Sequence, residues 1–116
     1  RFPNAGGSNS AVFEGMFLMG GTYMSYHTAE IPFVFHNVDR MLSRTGGSEE
    51  AHILEDRMSD AWIHFARYGT PQTDKLPQWD AYTKESGATM IFDNTIRLAR
   101  HHDEALLKLL DPNYTY

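Results

Sequence analysis

A chain of 116 residues, 41% hydrophobic and 22% charged, has the make-up of one small soluble domain or a piece of a larger one. The net charge of −5, with ten scattered basic residues and no basic run, speaks against a nucleic-acid surface. No apolar run approaches the length of a membrane span, and without cysteine the chain has neither disulfides nor thiolate metal sites of its own.

Residues 3–10, PNAGGSNS, are turn and loop formers. Residues 11–19, AVFEGMFLM, predict a strand or a buried segment that Gly15 weakens and Gly20-Gly21-Thr22 ends. His27 then falls in a loop some eight residues past that strand, beside Ser25, Thr28 and Ala29. Residues 31–35 fit either a short strand or a helical turn, and Pro32 argues against a central strand.

A helix is predicted over 49–68. Leu54, Met58, Ala61, Trp62 and Phe65 recur along one face, so Leu54, Met58, Trp62 and Phe65 are expected inside and Glu55, Asp56 and Arg67 outside. Ser48 is the expected N-cap, Glu49 and Glu50 suit the positive end of the helix dipole, and Gly69 then Pro71 end the helix. Residues 70–87 form a loop anchored by Trp79 and Tyr82. Residues 88–93, ATMIFD, predict a short strand, Asn94-Thr95 a turn and IRLAR a returning arm. A last amphipathic helix is expected over 103–110, capped by Asp103 and stopped before Pro112. Two or three strands and two helices cannot cover one another's apolar faces, so the chain is expected to be part of a larger fold, unstable alone. A separate small interaction module is the competing organisation.

Six histidines are candidates for chemistry. His52 and His64 share the long helix but lie too far apart for one site. His101-His102-Asp103 lacks a spaced triad or HExxH pattern, so no metal is expected there. His27 has a setting typical of chemistry, in a loop after a strand, though on these residues alone a structural histidine is the favoured reading. No G-x-S-x-G nucleophile turn occurs; Gly6-Gly7-Ser8-Asn9-Ser10 comes nearest and lacks the last glycine.

Four segments in order carry a resemblance. His27–Asn37, HTAEIPFVFHN, resembles the histidine loop of the type-B carboxylesterases, the cholinesterase-like α/β-hydrolases. The stretch from Met58 to Pro71 resembles that family's C-terminal helix, LPQWDAY from Leu76 its L-P-x-W-x-x-Y loop, and ATMIFD its A-T-M-I-F-D strand. The resemblance covers roughly residues 11–105. It implies an α/β fold: the C-terminal portion of an α/β-hydrolase, with residues 1–116 part of a carboxylesterase catalytic domain.

The activity implied is serine-dependent hydrolysis of carboxylic esters, without cofactor or metal. His27 matches the family's general base. Glu30 matches a structural carboxylate that fixes the loop, and lies too near His27 to be the triad acid. Tyr26 and Ala29 match positions that line the acyl or alcohol pocket. The serine, the acid and the oxyanion hole are expected in an N-terminal remainder of the same protein, which with the ester substrate makes up the implied partners. The alternative within the family is a non-catalytic adhesion protein that has lost the serine.

Overall fold

The computed structural model describes residues 2–4, 7–15 and 25–114. Four strands form one sheet in the order β1 (Phe2–Asn4), β2 (Gly7–Phe13), β3 (Ala88–Phe92) and β4 (Arg97–Arg100). β1 runs antiparallel to β2, β2 parallel to β3, and β3 antiparallel to β4. The parallel pair needs a long crossover. That crossover carries α1 (Ile31–Val34), a 3₁₀ turn at Val38–Met41, α2 (Leu42–Thr45) and α3 (Glu49–Tyr68). A last helix, α4 (Glu104–Leu110), follows β4.

β3 is buried along its whole length, as a strand with neighbours on both edges and cover on its faces should be. Its Met90 and Phe92, on one face of the strand, meet Leu54, Met58 and Ala61 of α3 in one core with Phe33, Val38, Leu76, Trp79 and Ile96. The returning arm IRLAR pairs with β3, Thr89 opposite Ala99 and Ile91 opposite Arg97.

One region departs from the expectation. Residues 3–4 and 7–10 lie in strands rather than a loop, and four strands are found among the described residues. A ladder is built from main-chain groups, so turn-favouring residues join it when a neighbouring strand supplies partners. Here Ser10 to Phe13 pair with Thr89 to Phe92, and the buried Asn9 amide donates to the Trp79 carbonyl at 3.4 Å. The expected strand residues 16–19 lie outside the described residues. The ambiguity at 31–35 resolves as helix: Pro32 sits in the first turn of α1, where its fixed φ suits the helix and its missing N–H costs nothing.

α3 has the predicted ends. The Ser48 hydroxyl accepts from the Ala51 N–H at 3.2 Å. Gly69, at φ 74°, donates its N–H to the Phe65 carbonyl at 2.8 Å. Its buried face is shifted from the predicted one. Leu54 and Met58 are buried as expected, while Trp62 and Phe65 are only half-buried at its edge. Asp56 and Arg67 are exposed, but Glu55 is 4% exposed, contrary to the expectation. The reason is polar partnership: its carboxylate accepts the Val38 N–H at 3.0 Å and bonds His52 at 2.8 Å. A paired carboxylate tolerates burial that an unpaired one does not.

Trp79 anchors its loop as predicted. It is 5% exposed, packs edge-on to Phe92 at 5.6 Å and donates its indole N–H to the Ser10 carbonyl at 3.1 Å. α4 forms, but the Asp103 side chain does not cap it; the Asp103 carbonyl accepts the Leu107 N–H instead.

This burial order sets an expected stability order. Phe92→Ala should cost about 3–5 kcal/mol as a fully buried aromatic, and Trp62→Ala measurably less. Urea denaturation of both variants checks this, and the reverse order would mean the core is centred on the other side of α3.

Candidate functional site

Beyond Ser25 and Tyr26 the chain makes a turn over residues 27–30 that runs straight into α1. Main-chain bonds build the turn: Ala29 N–H to the Tyr26 carbonyl at 3.0 Å and Ile31 N–H to the Thr28 carbonyl at 3.3 Å. Thr28 has φ 75°. A β-branched residue in this left-handed region is strained, and strain of this kind gathers at functional sites.

The turn forms one wall of a cleft of about 560 Å³. His27, Tyr26 and Glu30 line it from the turn, Phe13 and Phe92 from the ends of β2 and β3, and Met58 and Trp62 from α3. The turn side of the cleft is polar, and aromatic side chains face it, with Trp62 edge-on to Phe92 at 6.0 Å. His27 is exposed, and its ring makes no hydrogen bond to another described residue. An exposed imidazole at the edge of a cleft can accept or donate a proton there.

The expected site residues divide. His27, Tyr26 and Glu30 share the cleft. Ala29 does not line it and is 7% exposed, because the turn directs it inward. The Glu30 carboxylate bonds no described residue; its main-chain carbonyl secures the turn, accepting the N–H groups of Phe33 and Val34 at 3.0 Å. Trp62, read from the sequence as core alone, also walls the cleft.

The other histidines are tied into the structure. His64 bonds the Thr70 carbonyl at 2.7 Å and lies against Tyr68. His102 pairs with Glu14 at 2.5 Å, linking the chain before α4 to the end of β2, and Arg97 meets the same carboxylate at 3.3 Å. Among the described residues no group of three or more His, Cys, Asp or Glu could hold a metal ion.

A second polar cluster went unseen in the sequence. His36 approaches Asp56 at 2.7 Å and Glu55 at 3.7 Å, while His52 bridges Glu55 at 2.8 Å and Asp39 at 3.2 Å. The hydrogen bond to Asp56 raises the His36 pKa above its ordinary value, and the bond to Glu55 raises that of His52. The bond from His36 also lowers the Asp56 carboxyl. A signal was present: Glu55 lies one turn before Met58, inside the apolar face, and three residues after His52.

The sheet order, the long crossover over one face and the cleft at the strand ends are part of an α/β-hydrolase fold. Residues 8–109 match the carboxylesterase family, and the chain belongs to it. It is similar to the para-nitrobenzyl esterase of Bacillus subtilis (strain 168), 31% identical over 91 residues, which are 77% of this chain and 18% of that protein. It is 40% identical over 53 residues to the acylcarnitine hydrolase of Mus musculus, 46% of this chain and 9% of that one. A solved esterase from anaerobic Clostridium hathewayi, which can hydrolyse aliphatic aromatic polyesters, superposes with TM-score 0.80 at 36% identity. That match covers 95% of this chain and 22% of that one, so the chain spans about a fifth of such relatives.

The raised histidines give a pH signature. Their folded values exceed the unfolded value of about 6.5, so their stabilisation is complete below that pH and is lost as the pH rises through the folded values. The lowered Asp56 sets the acid limit, where the benefit is lost as that carboxylate protonates. The melting temperature of a His36→Gln/His52→Gln double variant should fall furthest below the parent's near about pH 6 and approach it toward about pH 9. A gap that widens with rising pH would contradict the pairing.

Proposed function

We propose that these residues are the C-terminal part of a carboxylesterase catalytic domain in which His27 is the general base for hydrolysis of carboxylic esters. The observation that carries this reading is the exposed His27 imidazole on a strained, main-chain-bonded turn at a cleft with aromatic walls, in a chain of the carboxylesterase family.

A serine hydroxyl is a weak nucleophile at neutral pH. His27 takes its proton as the oxygen attacks the ester carbonyl, then delivers that proton to the leaving alcohol. Water repeats the cycle on the acyl-enzyme, with His27 again as base. The serine, the acid that orients the imidazole and the oxyanion hole come from the N-terminal remainder of the protein. Glu30 is not that acid: three residues from His27, it is too near for the usual orienting geometry. Tyr26 and Trp62 flank the reacting group, and the aromatic surface of Phe13, Trp62 and Phe92 suits an ester with an aromatic acyl or alcohol part. Aromatic esters are also what the names of the para-nitrobenzyl esterase and the polyester-hydrolysing esterase evoke.

In the complete protein, His27→Ala should lower turnover of a p-nitrophenyl ester by about a thousandfold to a millionfold, the usual loss on removing a triad base. Turnover within tenfold of the parent would remove His27 from the mechanism.

A further inference from the structure

The His27 turn belongs to a longer rigid piece. Main-chain hydrogen bonds run without a break from Tyr26 to Asn37: Ala29 to Tyr26, Ile31 to Thr28, Phe33 and Val34 to Glu30, Phe35 to Ile31, His36 to Phe33 and Asn37 to Pro32. Segment 26–37 therefore moves as one body, with His27 near one end and His36 at the other.

Two attachments hold this body to α3. The first is apolar, through buried Pro32 and Phe33. Apolar burial is non-directional, so alone it leaves a pivot. The second is polar and directional. One Glu55 oxygen accepts the Val38 N–H at 3.0 Å and lies 3.7 Å from His36 Nδ1; the other meets His52 at 2.8 Å. His36 Nε2 reaches on to Asp56 at 2.7 Å. The remaining charged groups at this end are Asp39, which meets His52 at 3.2 Å, and Asp60 on the next turn of α3, paired with Lys75 of the loop that follows the helix. His36 itself has φ 54°, a conformation that residues with side chains adopt at a cost, and its two carboxylate partners hold it there.

α3 supplies the common frame. Glu55, Met58 and Trp62 lie three and seven residues apart on neighbouring positions of one helix face. Met58 and Trp62 wall the cleft beside His27, while Glu55 grips the far end of the segment. At 1.5 Å of rise per residue, Glu55 and Trp62 are about 10 Å apart along the axis, a separation that fixes an angle.

We propose that Glu55, with His36 as its partner, is a positioning residue for His27: it sets the angle at which segment 26–37 lies on α3, and so the place of the imidazole in the cleft. This rests on the reading of His27 as the general base.

The test is Glu55→Gln in the complete protein. Glutamine keeps the volume and an acceptor for the Val38 N–H but loses the charge that holds both histidines. The expected result is a fall in kcat for a p-nitrophenyl ester of about tenfold with KM within about twofold, because a small displacement of a catalytic group costs rate rather than binding. Amide exchange over 27–38 should quicken while β3 keeps its protection. His36→Asn, which tolerates the same backbone conformation, should lower kcat in the same sense and is the variant to read if Glu55→Gln does not fold. A parental kcat in the folded variant, or a rise in KM at constant kcat, would overturn the positioning role. If His27→Ala is inactive while Glu55→Gln has parental kcat, this inference alone fails. If His27→Ala is active, the reading of His27 fails and takes the inference with it.

Discussion

Phe33 is 2% exposed, and its ring sits 5.1 Å from that of Phe13 in β2. The same side chain belongs to the core that α3 shares with β3. One aromatic residue thus joins the crossover to the sheet and to the long helix. Burying such a side chain is worth about 1.5–3 kcal/mol before packing is counted. Its position fixes what lies either side of it: the His27 turn six residues before, and the Val38 N–H five residues after. The cleft lies next to this junction, between the His27 turn, α3 and the ends of β2 and β3.

Elements that carry their own signal were legible in the sequence. α3 has a cap, a dipole-matched first turn, an apolar stripe and a terminal glycine; β3 and β4 are an apolar run, a turn and a return. β1 and the start of β2 were not legible, because their residues favour turns and only the neighbouring chain makes them strands. Glu55 was misplaced for a related reason. An apolar stripe is read from residue types, whereas the burial of a carboxylate is decided by its partners, here Val38 and His36 from a segment seventeen to nineteen positions earlier. Ala29 was expected on the pocket wall and is buried instead, at 7% exposure.

The candidate site divides similarly. The residue types around His27 favoured a structural histidine over a catalytic one, and the resemblance in HTAEIPFVFHN singled it out. What no motif expressed is the cleft itself, which joins the turn to Phe13, Met58, Trp62 and Phe92 from three other elements. Trp62 shows how one residue serves both ends: half-buried against the core and half-open to the cleft, it carries part of the packing and part of the wall.

The most direct measurement is a crystal structure of the complete protein after reaction with a p-nitrophenyl phosphonate. The account predicts a phosphonylated serine with its Oγ within about 3.2 Å of a ring nitrogen of His27, and the organic group of the inhibitor in the cleft beside Trp62. A phosphonylated serine paired with a different histidine, or a cleft filled by the protein's own side chains, would contradict it.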